Sequence, residues 1–414
     1  MALQLLVGCA ILATAAATAG FGSTETPPHA PTPTNLPVVL STLFPYHKPK
    51  GGYNSGSGNW WGASFAVTKH GTVLVAGLLK LQTKQHEVPT ELDLRRSEDG
   101  GLSWGTITAL VSDPTHTSMF GGGGLIYSAA SDTVFFLYLD APQPKPAIPQ
   151  ALPIRAIHSK DDGITWSLPV TVGANLTGGE ILGHGIELAY GAHKGRLVIR
   201  TNQWVGAGPK WGPGFDLRVY SIYSDDGGVS WERGEDFPVP FTPLEATIAE
   251  ISNGSLIIST RNAYPRGDPK LAFCTNGTIC HTFGRSDDGG VTWPVTWTLP
   301  VEQLPIYGCQ PTLISTADGS KLYFGAPMNT TTADRWNYTV YTSVDGGRQW
   351  EWLTGVFGGP SGYSDMAFLA NGELAVGFQR GLGIEGMVGT GYEMAYARVN
   401  TTTAVESATV VPAP

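Results

Sequence analysis

Charge is what this chain has least of. Only 14% of its 414 residues are Asp, Glu, Lys or Arg, too few for the solvated faces of a helical bundle, which draws heavily on Glu, Lys and Leu. Lys and Arg number 25 against 34 Asp and Glu. The two signs are mixed along the chain with no basic stripe, which argues against a nucleic-acid partner. Cysteine is equally scarce. Beyond Cys9 there are Cys274, Cys280 and Cys309, a spacing that fits no metal site, and neither metal nor cofactor is expected. After residue 19 no apolar run reaches the roughly 18 residues of a membrane span. What abounds instead is glycine, at 54 residues, with 12 tryptophans. That mixture suits many short strands joined by tight turns, an all-β chain long enough to bury a sizeable core.

The N-terminus reads as a leader. Residues 5–19 are apolar or small and uncharged, and Ala17-Thr18-Ala19 offers an A-x-A cleavage site, so residues 1–19 are assigned to a signal peptide. The Pro/Thr-rich stretch 20–40 reads as an extended linker and 41–410 as the folded body. Secretion is also argued by N-x-[ST] sequons at Asn175, Asn253, Asn276, Asn329, Asn337 and Asn400, in polar, turn-like surroundings. In an oxidising compartment Cys274 and Cys280, which bracket an Asn-Gly turn, are expected to pair, leaving Cys309 free or buried. The expected location is secreted or lumenal, lysosomes included.

A repeat dominates the rest. S-x-D-x-G-x-x-W occurs as Ser97–Trp104, Ser159–Trp166, Ser224–Trp231, Ser286–Trp293 and Ser343–Trp350, its tryptophans spaced almost evenly along the chain. Apolar runs precede the copies, as in 217–223. The pattern describes a hairpin in which Asp accepts backbone N–H groups, Gly takes the positive-φ position and Trp packs beneath the turn. These aspartates are expected to be structural. A period of roughly 60 residues holds four short strands, the content of one propeller blade. The stretch 41–410 has room for six such units. A six-bladed β-propeller with five repeat-bearing blades is therefore predicted, the sixth joining the two ends of the chain. Its site belongs where loops from every blade converge.

Three further segments give the chain a resemblance over nearly its whole length. Glu245-Ala246-Thr247 leads to Thr260-Arg261-Asn262, with Glu250, Gly254 and Ser255 between. Asp334-Arg335 precedes Tyr338–Tyr341 and the last repeat. Gly359-Pro360-Ser361-Gly362-Tyr363-Ser364 follows soon after that repeat. With the repeats, known as Asp boxes, these segments and their separations resemble the sialidase (neuraminidase) family of glycoside hydrolases. The resemblance implies Tyr363 as nucleophile and Glu245 as its general base. A 2-keto sugar acid carries a carboxylate at its anomeric carbon, which would repel a carboxylate nucleophile, so a phenol polarised by a glutamate serves instead. Arg261 and Arg335 would grip that carboxylate through charge-assisted bonds. Gly183-His184-Gly185 resembles the glycine-rich stretch of the third blade, which makes His184 a candidate substrate contact.

The departures are specific. Trp61 stands where the family has its first arginine, leaving Trp60 and Trp61 either to stack on a sugar or to fill core space. Gln379 falls where a glutamate usually braces that arginine. No aspartate occupies the general-acid loop; His86 and Glu87 are the candidate acids there, and Asp93 belongs to the following strand. The predicted function is a retaining exo-glycosidase that releases terminal sialic acid or a related acidic sugar, its partners sialylated or other acidic glycans. The alternatives are a catalytically impaired glycan-binding propeller, and a related lyase or intramolecular transferase.

Overall fold

Short stretches rich in apolar residues build most of the strands in the computed structural model. It describes residues 38–45, 59–82, 87–112, 118–142, 152–173, 175–205, 217–239, 243–262, 280–300, 303–304, 309–328, 335–381 and 392–401. These all belong to one compact unit, Thr34–Pro414. The leader, and the linker as far as residue 37, lie outside the described residues, as do His86, Cys274 and the side chains of Trp61, Glu87 and Cys280. Among the described residues there are strands and one 3-10 turn, Gly191–His193, and no α-helix.

In chain order the strands are β1 (Val38–Phe44), β2 (Asn59–Val67), β3 (Val73–Gln82), β4 (Glu87–Ser97), β5 (Thr108–Ser112), β6 (Ser118–Ser128), β7 (Thr133–Pro142), β8 (Leu152–Ser159), β9 (Val170–Thr171), β10 (Thr177–Gly178), β11 (Ile186–Glu187), β12 (Leu197–Trp204), β13 (Leu217–Ser224), β14 (Glu232–Arg233), β15 (Pro243–Glu250), β16 (Leu256–Asn262), β17 (Cys280–Ser286), β18 (Val295–Pro300), β19 (Thr312–Ser315), β20 (Leu322–Pro327), β21 (Trp336–Ser343), β22 (Glu351–Phe368), β23 (Leu374–Gly381) and β24 (Tyr392–Val399). They form antiparallel sheets of neighbours in sequence: β2–β5, β6–β10, β11–β14 and β15–β18. A seven-stranded sheet follows, ordered β1-β24-β23-β22-β21-β20-β19. Its long strand β22 pairs with β21 through residues 351–360 and with β23 through 361–368. The first strand closes onto the last, from Val38↔Val399 to Phe44↔Met394.

Each sheet buries both faces of its inner strands; β15 and β20 are buried at every residue. The apolar clusters lie between successive sheets. One joins β2–β5 to β6–β8, the next joins that sheet to β12 and β13, and so on round the chain. The last, with Leu43, Phe44, Trp60, Phe65, Ala375 and Met394, joins β1 and the C-terminal strands back to β2 and β3.

All five Asp boxes sit at the end of the third strand of a sheet, and the aspartate does what the motif predicts. In the first, Asp99 Oδ1 accepts the N–H groups of Leu102 and Ser103 at 3.0 and 2.9 Å. The pattern alone leaves the serine without a role, and the structure supplies one. Its Oγ donates to the aspartate and accepts the N–H of the motif's glycine four residues on, at 2.7 Å each for Ser97, and the same pair recurs at Ser159, Ser224, Ser286 and Ser343. Of the sequons within the described residues, Asn175, Asn253 and Asn337 are exposed; Asn337 lies inside β21 rather than in a turn.

Candidate active site

Where the innermost strand of a sheet meets the second, the ladder breaks at the same end in several sheets. The register slips between Trp61 and Ala63, between Phe120 and Gly123, between Pro243 and Ala246, and between Ser361 and Ser364. Such bulges free a residue from the pleat and re-aim its side chain. Glu245 and Tyr363 lie in two of these breaks, far apart in the chain, and the breaks bring them together.

Tyr363 Oη donates to Glu245 Oε1 at 2.5 Å. Arg261, next to last in β16, donates through Nη1 to both Glu245 oxygens at 2.9 and 2.7 Å and to Tyr363 Oη at 3.2 Å. Arg335, just before β21, lies with its guanidinium carbon 5.1 Å from the centre of the Tyr363 ring. Glu245 and Tyr363 are each 4% exposed, so their charges act with little screening. Burial alone would raise the Glu245 pKa, but Arg261, the Tyr363 hydroxyl and Arg335 together hold it below the usual carboxylate range. Burial, then the Glu245 charge, lift the Tyr363 phenol well above its ordinary value, against the pull of Arg261 and Arg335. The resting pair is therefore a neutral phenol hydrogen-bonded to a carboxylate, with a proton acceptor already in contact.

The strand position of Tyr363 is fixed from behind. Gln379 Oε1 accepts the Tyr363 N–H at 2.9 Å, and its Nε2 donates to the Trp60 carbonyl at 2.6 Å. A glutamate has no donor for that carbonyl, so the amide suits a site in which no arginine needs bracing. A Cβ at position 362 would stand 2.2 Å from Gln379 Oε1 and push that amide off the Tyr363 N–H. Trp60 itself is core: it stacks on Phe44 at 4.4 Å and donates its indole N–H to the Pro45 carbonyl. Sugar stacking is thereby excluded for Trp60.

His184 meets Asp365, which sequence reasoning missed. Its Nδ1 is 2.7 Å from Asp365 Oδ1. Asp365 also accepts from Thr312 Oγ1 at 3.0 Å and, through Oδ2, from the Phe65 N–H at 2.9 Å. One carboxylate thus ties β2, β19 and the 183–185 segment to β22. Burial lowers the His184 pKa, and Asp365 more than restores it, so the imidazole leans to the cationic form. Asp365 was legible in one respect: it lies two residues beyond Tyr363, the strand period. Glu250 and Ser255, matched from sequence, are joints between turns and neighbouring sheets, Glu250 accepting the N–H groups of Ala189 and Tyr190 and Ser255 donating to Asp287. Cys309 is a free, buried thiol.

A family profile described as BNR repeat-like domain matches residues 78–376. The sialidase of Micromonospora viridifaciens is 27% identical over 315 residues, which cover 72% of this chain and 46% of that protein. The chain thus spans about half the length of this relative. Among solved structures, Trypanosoma rangeli sialidase superposes with a TM-score of 0.65 at 16% identity, covering 90% of this chain and 60% of that one. A Hadza microbial sialidase gives 0.62 at 18%, covering 84% and 69%. At these identities the structural likeness is one of fold, a β-propeller. With nearly three quarters of its length under the family profile, the chain belongs to the sialidase/BNR-repeat family.

Proposed function

We propose that this protein is a secreted, retaining exo-glycoside hydrolase that releases terminal sialic acid or a related acidic sugar from glycoconjugates. The observation that carries the reading is the buried triad of Tyr363, Glu245 and Arg261, with the phenol 2.5 Å from its acceptor. In the proposed reaction Tyr363 Oη attacks the anomeric carbon while its proton passes to Glu245. The bond to the leaving oxygen breaks, and His86 or Glu87, the latter the first residue of β4 rather than a loop residue, protonates that oxygen. Water then attacks the same carbon, giving its proton back to the residue that served as acid, while Tyr363 leaves and recovers its proton from Glu245; two inversions give net retention. Arg261 and Arg335 hold the substrate carboxylate and stabilise the phenolate character that develops on Tyr363. His184, held by Asp365, serves as a further contact to the sugar.

The scaffold of this reading has six blades. Cutting the seven-stranded sheet within β22 gives β19–β22 and β22-β23-β24-β1, which with the other four sheets makes six, and six apolar clusters join them pairwise. Secretion is supported by the apolar 5–19 segment and by exposed sequons.

A fluorogenic sialoside tests the enzyme. The native chain should turn it over, and Tyr363→Phe and Glu245→Ala should each lose about 100-fold or more, the range of nucleophile and base removal. NMR of the first product formed should show the substrate's own anomer. Binding on a glycan array with no turnover by the native chain would sink the enzyme reading.

A further inference from the structure

Arg200 is a large cation where the fold needs none. It is the fourth residue of β12, whose first residue, Leu197, pairs with the Asp-box serine Ser224. The same count from the box serine reaches Ala76 in β3, Leu137 in β7, Ser259 in β16 and Gly325 in β20. The other box-bearing sheets fill this position with a small or apolar side chain. Arg200 is 1% exposed. Its Nη2 donates to the Leu182 carbonyl, while Nε and Nη1 have no acceptor among the described residues.

Two of the anions nearby, Glu245 and Asp365, are already committed. Glu180, Glu245, Asp365 and the Tyr363 phenol all act on the Arg200 charge, yet burial outweighs them and pushes its pKa down to about 10. Glu245 is taken up by Arg261 and Tyr363, and Asp365 by His184, Thr312 and Phe65. Two buried donors of a fixed, planar cation therefore remain beside the proposed acidic-ligand site, and guanidinium donors suit an oxyanion such as a carboxylate. At the first-strand position where the sialidase resemblance calls for an arginine, the chain has Trp61.

We propose that Arg200, reaching in from β12, is the third cation for the carboxylate of an acidic sugar, beside Arg261 and Arg335. This rests on the acidic-sugar reading above and names a residue that the reading did not contain. The three cations then come from three different sheets, one of them changed from the family's arrangement, and the carboxylate is approached from the β11–β14 sheet instead of from β2.

Calorimetric titration of the full chain with 2-deoxy-2,3-didehydro-N-acetylneuraminic acid and with its neutral methyl ester tests this. Arg200→Met should weaken binding of the acid about 10–100-fold, the range for losing one charge-assisted pair, and leave the ester's weaker binding unchanged. The melting temperature without ligand should stay level or rise, because the variant removes unpaired buried donors. If the Met variant does not fold, Arg200→Gln, which keeps a donor for the Leu182 carbonyl, takes its place in the same comparison. Equal affinity of variant and native chain for the acid, or an equal loss for acid and ester, overturns the role of Arg200 while the acidic-sugar reading stands. A native chain that binds no acid overturns that reading, and Arg200 with it.

Discussion

His281 and Asp93 are the two side chains on which stability should depend most visibly with pH, and their effects oppose. His281 is 4% exposed, packed against Phe283 and Phe324, and burial pushes its pKa down to about 3. Between pH 3 and 6.5 the unfolded chain binds this proton and the folded one does not, so the stability it leaves intact above pH 6.5 is lost as pH falls through that window. Asp93 in β4 is also 4% exposed; burial, then Glu91, push its pKa up to about 7. Here the folded chain holds a proton that the unfolded chain has released, so stability present below pH 3.8 is lost as pH rises towards 7. From about pH 4 to 6.5 the two slopes, about 1.4 kcal/mol per pH unit at most, cancel in the native chain. Urea unfolding of single variants should unmask them. Relative to the native chain, His281→Leu should become less stable with rising pH and Asp93→Asn more stable. Parallel curves for native and variant proteins would refute both assignments. Neither effect was legible in the sequence. The strand membership of Asp93 could be read from its nearness to the box, but burial on the second face of a strand depends on which sheet packs there.

At the level of the element, the Asp box was the most legible feature, because the side-chain hydrogen bonds of its serine and aspartate close within the motif itself. Asp226 accepts Ser224 Oγ, two backbone N–H groups and Ser230 Oγ, but it does so at the surface. Gly228 has φ +87°, and a Cβ there would stand 2.6 Å from the ring of Phe135 in the preceding sheet. Asp226→Ala should therefore cost about 1 kcal/mol, an exposed hydrogen-bonded turn, and Gly228→Ala about 3 kcal/mol, from left-handed backbone strain plus a clash with an aromatic core residue. Chemical denaturation should give that order. Turnover per folded molecule should be unchanged in both; its loss in Asp226→Ala at unaltered stability would make the box part of the chemistry. The bulges were harder to read. Glu245, Arg261, Arg335 and Tyr363 could be named from their motifs, yet the slips that aim Glu245 and Tyr363 at each other leave no local pattern beyond Gly362. Asp365 and Arg200 escaped because their partners, His184 and Leu182, are fixed only when separate sheets pack.

For the whole molecule the decisive contact is the one between its ends. Each of the other sheets pairs strands that are local in sequence, whereas β1 crosses the full chain to pair with β24. The repeat predicted that one unit would join the ends, and β1 does so, beginning at Val38 within the stretch read as linker. The loop it closes is long, so the strand must be held by burial as well as by its ladder. Leu43 and Phe44 are fully buried, and Phe44 stacks on Trp60, whose carbonyl holds Gln379 and through it the backbone of Tyr363. The ends are thereby connected to the proposed nucleophile through three residues. Phe44→Ala should cost about 3–5 kcal/mol, a large part of the roughly 5–15 kcal/mol typical of a folded protein. It should also loosen the Trp60–Gln379–Tyr363 connection. Sialoside turnover of Phe44→Ala should therefore fall at temperatures where the chain is still folded, while an equally destabilising Phe283→Ala, in β17 where it packs against Phe324 of β20, should preserve turnover until unfolding begins. Identical activity profiles, once corrected for the folded fraction, would mean that closure stabilises the molecule without positioning the site.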